Sequence, residues 1–431
     1  MKTTQYLTLL VCTLLCFSCN TKTTKKIAHS GDYNTYVEAE DQKSLLALEA
    51  DYAFWNGKLN ENPNQFPYLI KKAASLSSMF KITGNIDYLI EAETDLVEAN
   101  ERTHAGSSGI LRALARNYIS QHRFKEALKL LKKAEVVGEH LVGTQNMLFD
   151  VHLELGNTAE AKKYLMAIQD FNDFDYVIRL AKWQDHQGDL ESAIKYMEKA
   201  LVIAETSKNP NLKQWVYTNI ADFYGHDGQI EKSYTYYLKA LDLDPSDAYS
   251  KKGIAWIVYS NDDNPEEAMR ILNSVTQYHK TPDYELLKAE IAEYMNDEVS
   301  KSNHLNAYLE AVDNKKYGDM YNAYNTLVYT DDLLIFDSAL TLAEKEVENR
   351  PTPHSYDLLA WTYYKKGEYK KALDIVETHI KNKSFEPSIL FHVAQIYKDN
   401  GKIKEAKTLK KELLTASYEL GPVTTQRIKN I

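Results

Sequence analysis

Residues 359–376 read LAWTYYKKGEYKKALDIV. Small residues stand at Ala360, Gly367 and Ala372, with aromatic rings at Tyr363 and Tyr369 between them. Taking Ala372 as an anchor and moving outward, the same pattern recurs along the chain. Equivalent positions are Ala127, Ala161, Ala193, Ser233, Ala268, Lys301, Ala339, Ala372 and Ala406, with successive gaps of 34, 32, 40, 35, 33, 38, 33 and 34 residues. Twelve residues before each anchor comes a mostly small residue, as at Ala115, Ala181, Ala221, Ala360 and Ala394. Nine before it an aromatic is common, as at Tyr118, Tyr224, Tyr259, Tyr363 and Tyr397. Gly156, Gly188, Gly228, Gly367 and Gly401 each stand five before an anchor. The pattern is therefore the period of the chain.

Packed helices lie roughly 8 to 10 Å apart, and the closest crossings need Ala, Gly or Ser. Tyr and Phe fill the wider gaps, and a Tyr hydroxyl can still reach a partner. A Gly before the second helix of each unit ends the first by tolerating a left-handed backbone. One such unit cannot bury its apolar face alone, so neighbours stack into a continuous core.

A unit of about 34 residues with these positions in phase resembles the tetratricopeptide repeat. The copies GILRALARNYISQHRFKEALKLLKKAEVV, VYTNIADFYGHDGQIEKSYTYYLKALDLDP, ILFHVAQIYKDNGKIKEAKTL and the opening one carry the resemblance best. Pro245 and Pro351 fall twelve residues after their anchors, where the family often stops the second helix. The resemblance implies an all-α fold, a right-handed superhelical α-solenoid of stacked helix-turn-helix units. About nine units are expected over 108–414, after an N-terminal helix and a divergent unit over 43–107, with a polar C-terminal cap and tail over 415–431. Copies at 283–312 and 320–350 depart most, with Lys301, Leu327 and Thr330 at small or aromatic positions. The tyrosine clusters YTYYLKAL and WTYYKKGEY are expected to pack the core, and the Lys-rich KKAASL, KKAEVV and KNKSFE to lie on solvated helix faces.

Composition fits this picture. Among 431 residues only 16 are Gly and 10 Pro, while 31 are Tyr, which favours a largely helical chain. Net charge is -10, and phosphate-backbone binding draws on clustered Lys and Arg, so nucleic acid is not an expected partner.

The N-terminus, MKTTQYLTLLVCTLLCFSCN, has one early Lys and an apolar run from Tyr6 to Phe17 that matches a secretory signal segment. The end of that run resembles the lipobox of bacterial lipoproteins, with Cys16 and Phe17 where Leu and a small residue are usual. All three cysteines, Cys12, Cys16 and Cys19, lie here. Cleavage of 1–18 would leave Cys19 alone at the new terminus, the position that lipoproteins acylate; an unlipidated secretory signal is the alternative. The resemblance implies a lipidated Cys19 followed by a flexible tether over 19–42, and a cell-envelope location, lipid-anchored at the outer membrane and facing the periplasm or the surface. Acidic residues after the Cys, a surface-export signal in some Bacteroidetes lipoproteins, do not occur in Asn20 to Lys26.

No GxSxG, HExxH, CxxC or Walker loop occurs, so the chain is expected to be neither an enzyme nor a cofactor binder. HAGSSG at 104–109 reads as an inter-helix turn. In tetratricopeptide repeats the first helix of each unit lines the concave groove, at positions eleven, eight and seven before the anchor. In mid-chain these supply Asp150, Glu154, Lys182, Asp185, His186, Asp222 and His226. The leading expectation is a membrane-anchored scaffold whose groove binds a protein or peptide partner. The alternative is capture of a metal ion or small ligand by the Asp/His-lined groove for a nearby transporter, since His with carboxylate suits Zn or Ni.

Overall fold

The computed structural model describes residues 26–38 and 43–431. The expected signal segment and Cys19 lie outside them. Among the described residues there is no β-strand, and no helix is long and apolar enough to cross a membrane.

Nine helix pairs follow one another: Ser108–Ser120 with Phe124–Val137, Leu141–Glu154 with Thr158–Ala167, Phe174–His186 with Leu190–Thr206, Pro210–His226 with Ile230–Leu243, and Ala248–Ser260 with Pro265–Val275. They continue as Asp283–Tyr294 with Glu298–Val312, Asn322–Asp331 with Phe336–Asn349, Pro353–Lys365 with Tyr369–Ile375, and Pro387–Asp399 with Ile403–Leu413. A tenth pair, Phe66–Thr83 with Ile86–Arg102, and a single helix, Lys43–Glu61, precede them.

Every second helix of the nine starts three residues before its anchor. Ala127, Ala161, Ala193, Ser233, Ala268, Ala339 and Ala372 have no exposed surface. The residue five before each anchor is left-handed in all nine pairs, and four of these are not Gly: His122, Asp263, Asn296 and Leu334. The backbone therefore demands the turn even where the side chain is unsuited to it. In seven of the nine the N–H four before the anchor reaches back to the carbonyl nine before it, as from Glu368 to Tyr363, and in the Asp263 and Leu334 turns to the carbonyl ten before, which ends the first helix.

The divergent copies keep this geometry with different chemistry. Lys301, at an anchor position, extends its amine to Glu293 at 2.7 Å and Asp332 at 3.1 Å. Thr330 is fully buried and shares a 3.1 Å hydrogen bond with Thr362 of the next unit.

The array curls back on itself. A Cβ placed on Gly84 would lie 2.6 Å from Thr281 Cγ2, one on Gly156 would lie 2.9 Å from the Pro351 carbonyl, and one on Gly188 would lie 2.5 Å from the Phe385 ring. Lys280 N also donates to Thr83 O at 2.7 Å. Turns of early units thus rest on units some six repeats later.

Three expectations need revision. Within the segment expected to be a flexible tether, residues 26–38 are docked, with a helix at Ser30–Val37. The Ile27 and Ala28 N–H groups donate to the Asp262 carboxylate at 3.0 and 2.8 Å, and Tyr33 is buried with its hydroxyl on Glu267 at 2.7 Å. An acidic side chain accepting two backbone N–H groups outweighs the weak apolar content of this stretch. The C-terminal residues, expected as a cap and tail, reach beyond the last pair. Helix Ser417–Lys429, kinked at Gly421, packs on both helices of that pair, Pro387–Asp399 and Ile403–Leu413, and also against the first helices Pro210–His226, Ala248–Ser260 and Asp283–Tyr294. Finally, Lys72 of KKAASL is buried, because Asp95 and Glu91 at 3.1 and 3.3 Å compensate its charge.

Candidate functional site

The mid-chain groove residues do face the interior, but the chain itself engages most of them. Arg179 holds Asp150 at 2.7 Å. Glu154 pairs with Lys182 at 3.0 Å and with Arg350, from a unit far along the chain, at 3.6 Å. Burial alone would push the Lys182 amine down, yet the attraction of Glu154 and Asp150 carries it upward. Burial likewise acts to raise Glu154, and Lys182 and Arg350 outweigh it, so that carboxyl ends below its ordinary range. Asp222 accepts from the Tyr237 hydroxyl and, at 2.6 Å, from Tyr249.

His226 Nδ1 lies 3.6 Å from Glu419 of the C-terminal helix. Asp185, Glu386 and Glu419 gather around this imidazole, each carboxyl raised by burial. His186 stands apart, tilted against Trp183 with ring centres 5.9 Å apart, and burial lowers its pKa. Among the described residues, no three His, Cys, Asp or Glu side chains are placed to hold a metal ion. Of the carboxylates in the metal alternative, Asp150, Glu154 and Asp222 are engaged by Arg179, Lys182 and two tyrosines.

The open part of the groove lies further along, over the last four helix pairs. A cavity of about 620 Å³ runs between the first helices Asp283–Tyr294, Asn322–Asp331, Pro353–Lys365 and Pro387–Asp399, with Val423, Thr424 and Arg427 of the C-terminal helix as its far wall. Trp361 is central. Its ring stacks on His392 at 4.0 Å and on Tyr364 at 5.0 Å, while its indole N–H donates to both Asp331 oxygens at 3.1 Å. Lys365 reaches the same carboxylate at 2.8 Å. On the opposite side Lys301 ties Glu293 to Asp332, and Arg427 also contacts Glu293. Glu290, at the floor, is raised to about 7 by burial, with the Tyr259 hydroxyl donating to it at 3.3 Å.

Ring edges held by stacking, with cations and carboxylates alternating between neighbouring helices, give an extended chain apolar contacts, donors and acceptors at repeated intervals. These residues were missed by the sequence reading although its rule reaches them. Of the twelve residues eleven, eight and seven before anchors Lys301, Ala339, Ala372 and Ala406, nine line the cavity, among them Glu290, Asp331, Trp361 and Lys365, while Tyr294, Lys398 and Asp399 do not. The mid-chain histidines had drawn attention away. Trp361, only 6% exposed, is in the core as expected and reaches the cavity with an edge, while Tyr364 is half-buried on the groove wall.

Helix pairs repeating in one register, with small residues at each crossing, define an α-solenoid. A family model described as tetratricopeptide repeat matches residues 216–247, and one described as anaphase-promoting complex, cyclosome, subunit 3 matches residues 332–412. Residues 216–247 thus match a tetratricopeptide repeat, and the other pairs share its helix-turn-helix register. Solved structures with similarity include YrrB, a tetratricopeptide-repeat protein with an unusual peptide-binding site, at 19% identity over 46% of this chain and 95% of that one, TM-score 0.28. A tetratricopeptide-repeat protein from Parabacteroides merdae has 14% identity over 59% of this chain and 97% of its own, TM-score 0.35. A chain of an APC/C hetero-tetramer has 12% identity over 94% and 96%, TM-score 0.34. No curated protein matches the sequence.

Proposed function

We propose that this protein is a membrane-anchored scaffold that holds an extended segment of a partner protein in the groove of its last four repeats. The observation carrying this reading is the Trp361 platform, an aromatic stack flanked by the Lys365–Asp331 and Lys301–Asp332 pairs. Peptide recognition by a preformed groove takes affinity from apolar anchors and selectivity from the charges beside them. The anchor is a lipidated Cys19, supported by the apolar run before it and by its being the one cysteine left after cleavage. Only seven residue steps lead from Cys19 to Lys26, where the docked segment begins. Fully extended they reach about 25 Å, so the solenoid would ride close to the lipid surface.

Co-purification from detergent-solubilised membranes tests the groove. Wild type and Asp150→Asn are expected to retain the same partner, and the double variant Trp361→Ala, Lys365→Glu to lose it at least tenfold. Retention of that partner by the double variant would contradict the assignment. Cys19→Ser is expected to abolish acyl labelling and to release the protein from the membrane fraction.

A further inference from the structure

A second cavity, of about 940 Å³, opens beside the helix Pro265–Val275, the second helix of its pair, and so away from the peptide groove. One wall is apolar: Val37, Leu45, Ile82 and Met269. The rest of the lining offers donors from Asn273 and Gln277, and carries Lys251 and Arg270.

Lys251 is the unusual member. It is 1% exposed, and its amine has no hydrogen bond or ion pair among the described residues. The Tyr278 ring centre lies 5.1 Å from the amine, and Asp244 and Asp247 act on it only from beyond ion-pair distance. Every other strongly buried lysine has an acidic partner: Lys72 has Asp95, and Lys288 has Glu285 at 3.1 Å. A buried ammonium without a counter-ion is costly, by several kcal/mol in general, and such groups are retained where something else supplies the charge. Burial pushes the Lys251 pKa down to about 8, against the weaker pull of Asp244 and Asp247, so most of it is still charged at neutral pH.

We infer that this cavity binds a small monocarboxylate with an apolar body, its carboxylate on the Lys251 amine and its chain along Met269, Ile82 and Leu45. The other cation of the lining, Arg270, is already held by Glu267 at 2.8 Å and by Asn34, which leaves Lys251 to match a single negative charge. Glu38 and Glu266 on the wall disfavour a doubly charged phosphate. This site goes beyond the scaffold reading and does not depend on it.

Octanoate is a suitable probe, titrated calorimetrically into the full chain at pH 6.5 and low salt, with octylamine and octyl phosphate as controls. Octanoate is expected to bind with a sub-millimolar Kd, octyl phosphate more weakly and octylamine not at all. Lys251→Met is expected to weaken octanoate at least tenfold while keeping or raising the melting temperature, because it removes an unpaired buried charge. No octanoate binding by wild type, equal binding by a folded Lys251→Met, or tighter binding of octyl phosphate overturns the proposal. Wild type alone gives a second readout after reductive 13C-methylation. The lysine resonance titrating near about 8 is expected to move its midpoint up by about one unit or more with octanoate, as a nearby anion favours the charged amine. A midpoint that stays put also overturns it.

Discussion

At Leu334 the backbone takes φ of 56°, in the turn where five sister units carry Gly. The left-handed conformation costs an L-residue on the order of 1 kcal/mol, and the Leu334 side chain is 57% exposed, so it recovers little by packing. Leu334→Gly is therefore expected to stabilise the protein by about 1 kcal/mol, read from denaturant midpoints. Glu290 shows the converse, a residue at odds with its surroundings on the groove floor. Its folded pKa of about 7 exceeds the ordinary glutamate value, so the folded state holds the proton more tightly than the unfolded chain. Stability contributed by this group is present in acid and is lost as pH rises from about 4.5 through 7. Arg427 opposes the shift, and Glu293 adds to it. Glu290→Gln is expected to remove that slope, gaining roughly 1 to 3 kcal/mol over wild type between pH 4 and pH 8 in paired urea titrations. An unchanged slope would mean that Glu290 is better hydrated than its burial suggests.

Helix boundaries were readable because each pair repeats one set of small-residue crossings. Ala360 and Ala372 are fully buried as their spacing requires, and even Lys301 keeps its place in register. The two elements that escaped the reading occur once each. The segment 26–38 is held by Asp262 and Tyr234, more than two hundred residues away. The helix Ser417–Lys429 is held by Trp256 and Ser260, whose side chains donate to the Tyr418 carbonyl at 3.1 and 2.7 Å. Periodicity cannot announce a contact made only once. Replacing Asp262 by Ala strands the Ile27 and Ala28 N–H groups, and hydrogen bonds to a charged acceptor contribute about 1.5 to 3 kcal/mol. Asp262→Ala is expected to speed proteolysis within residues 26–38 at least tenfold, with far-ultraviolet ellipticity nearly unchanged. Unaltered cleavage would show that Tyr33 and Val37 hold the segment alone.

Across the whole molecule, contacts such as Gly156 against Pro351 and Gly188 against Phe385 bring early units under late ones. That closure decides which part of the groove is free. The mid-chain candidates Glu154, Asp185 and His226 meet Arg350, Glu386 and Glu419 from the later layer, whereas Trp361 and its neighbours keep an open cavity before them. A sequence locates residues along a repeat, but not which layer covers them. The scaffold reading is tested most directly by placing a photo-crosslinking amino acid at Tyr324, on the groove wall and 44% exposed, and separately at exposed Val202 on a second helix. Irradiation in native membranes should give, from position 324, one adduct mapping by mass spectrometry to a single contiguous partner segment, lost on Trp361→Ala and absent from position 202. Equal adducts from both positions, or none from 324, would contradict a peptide-holding groove in the last four repeats.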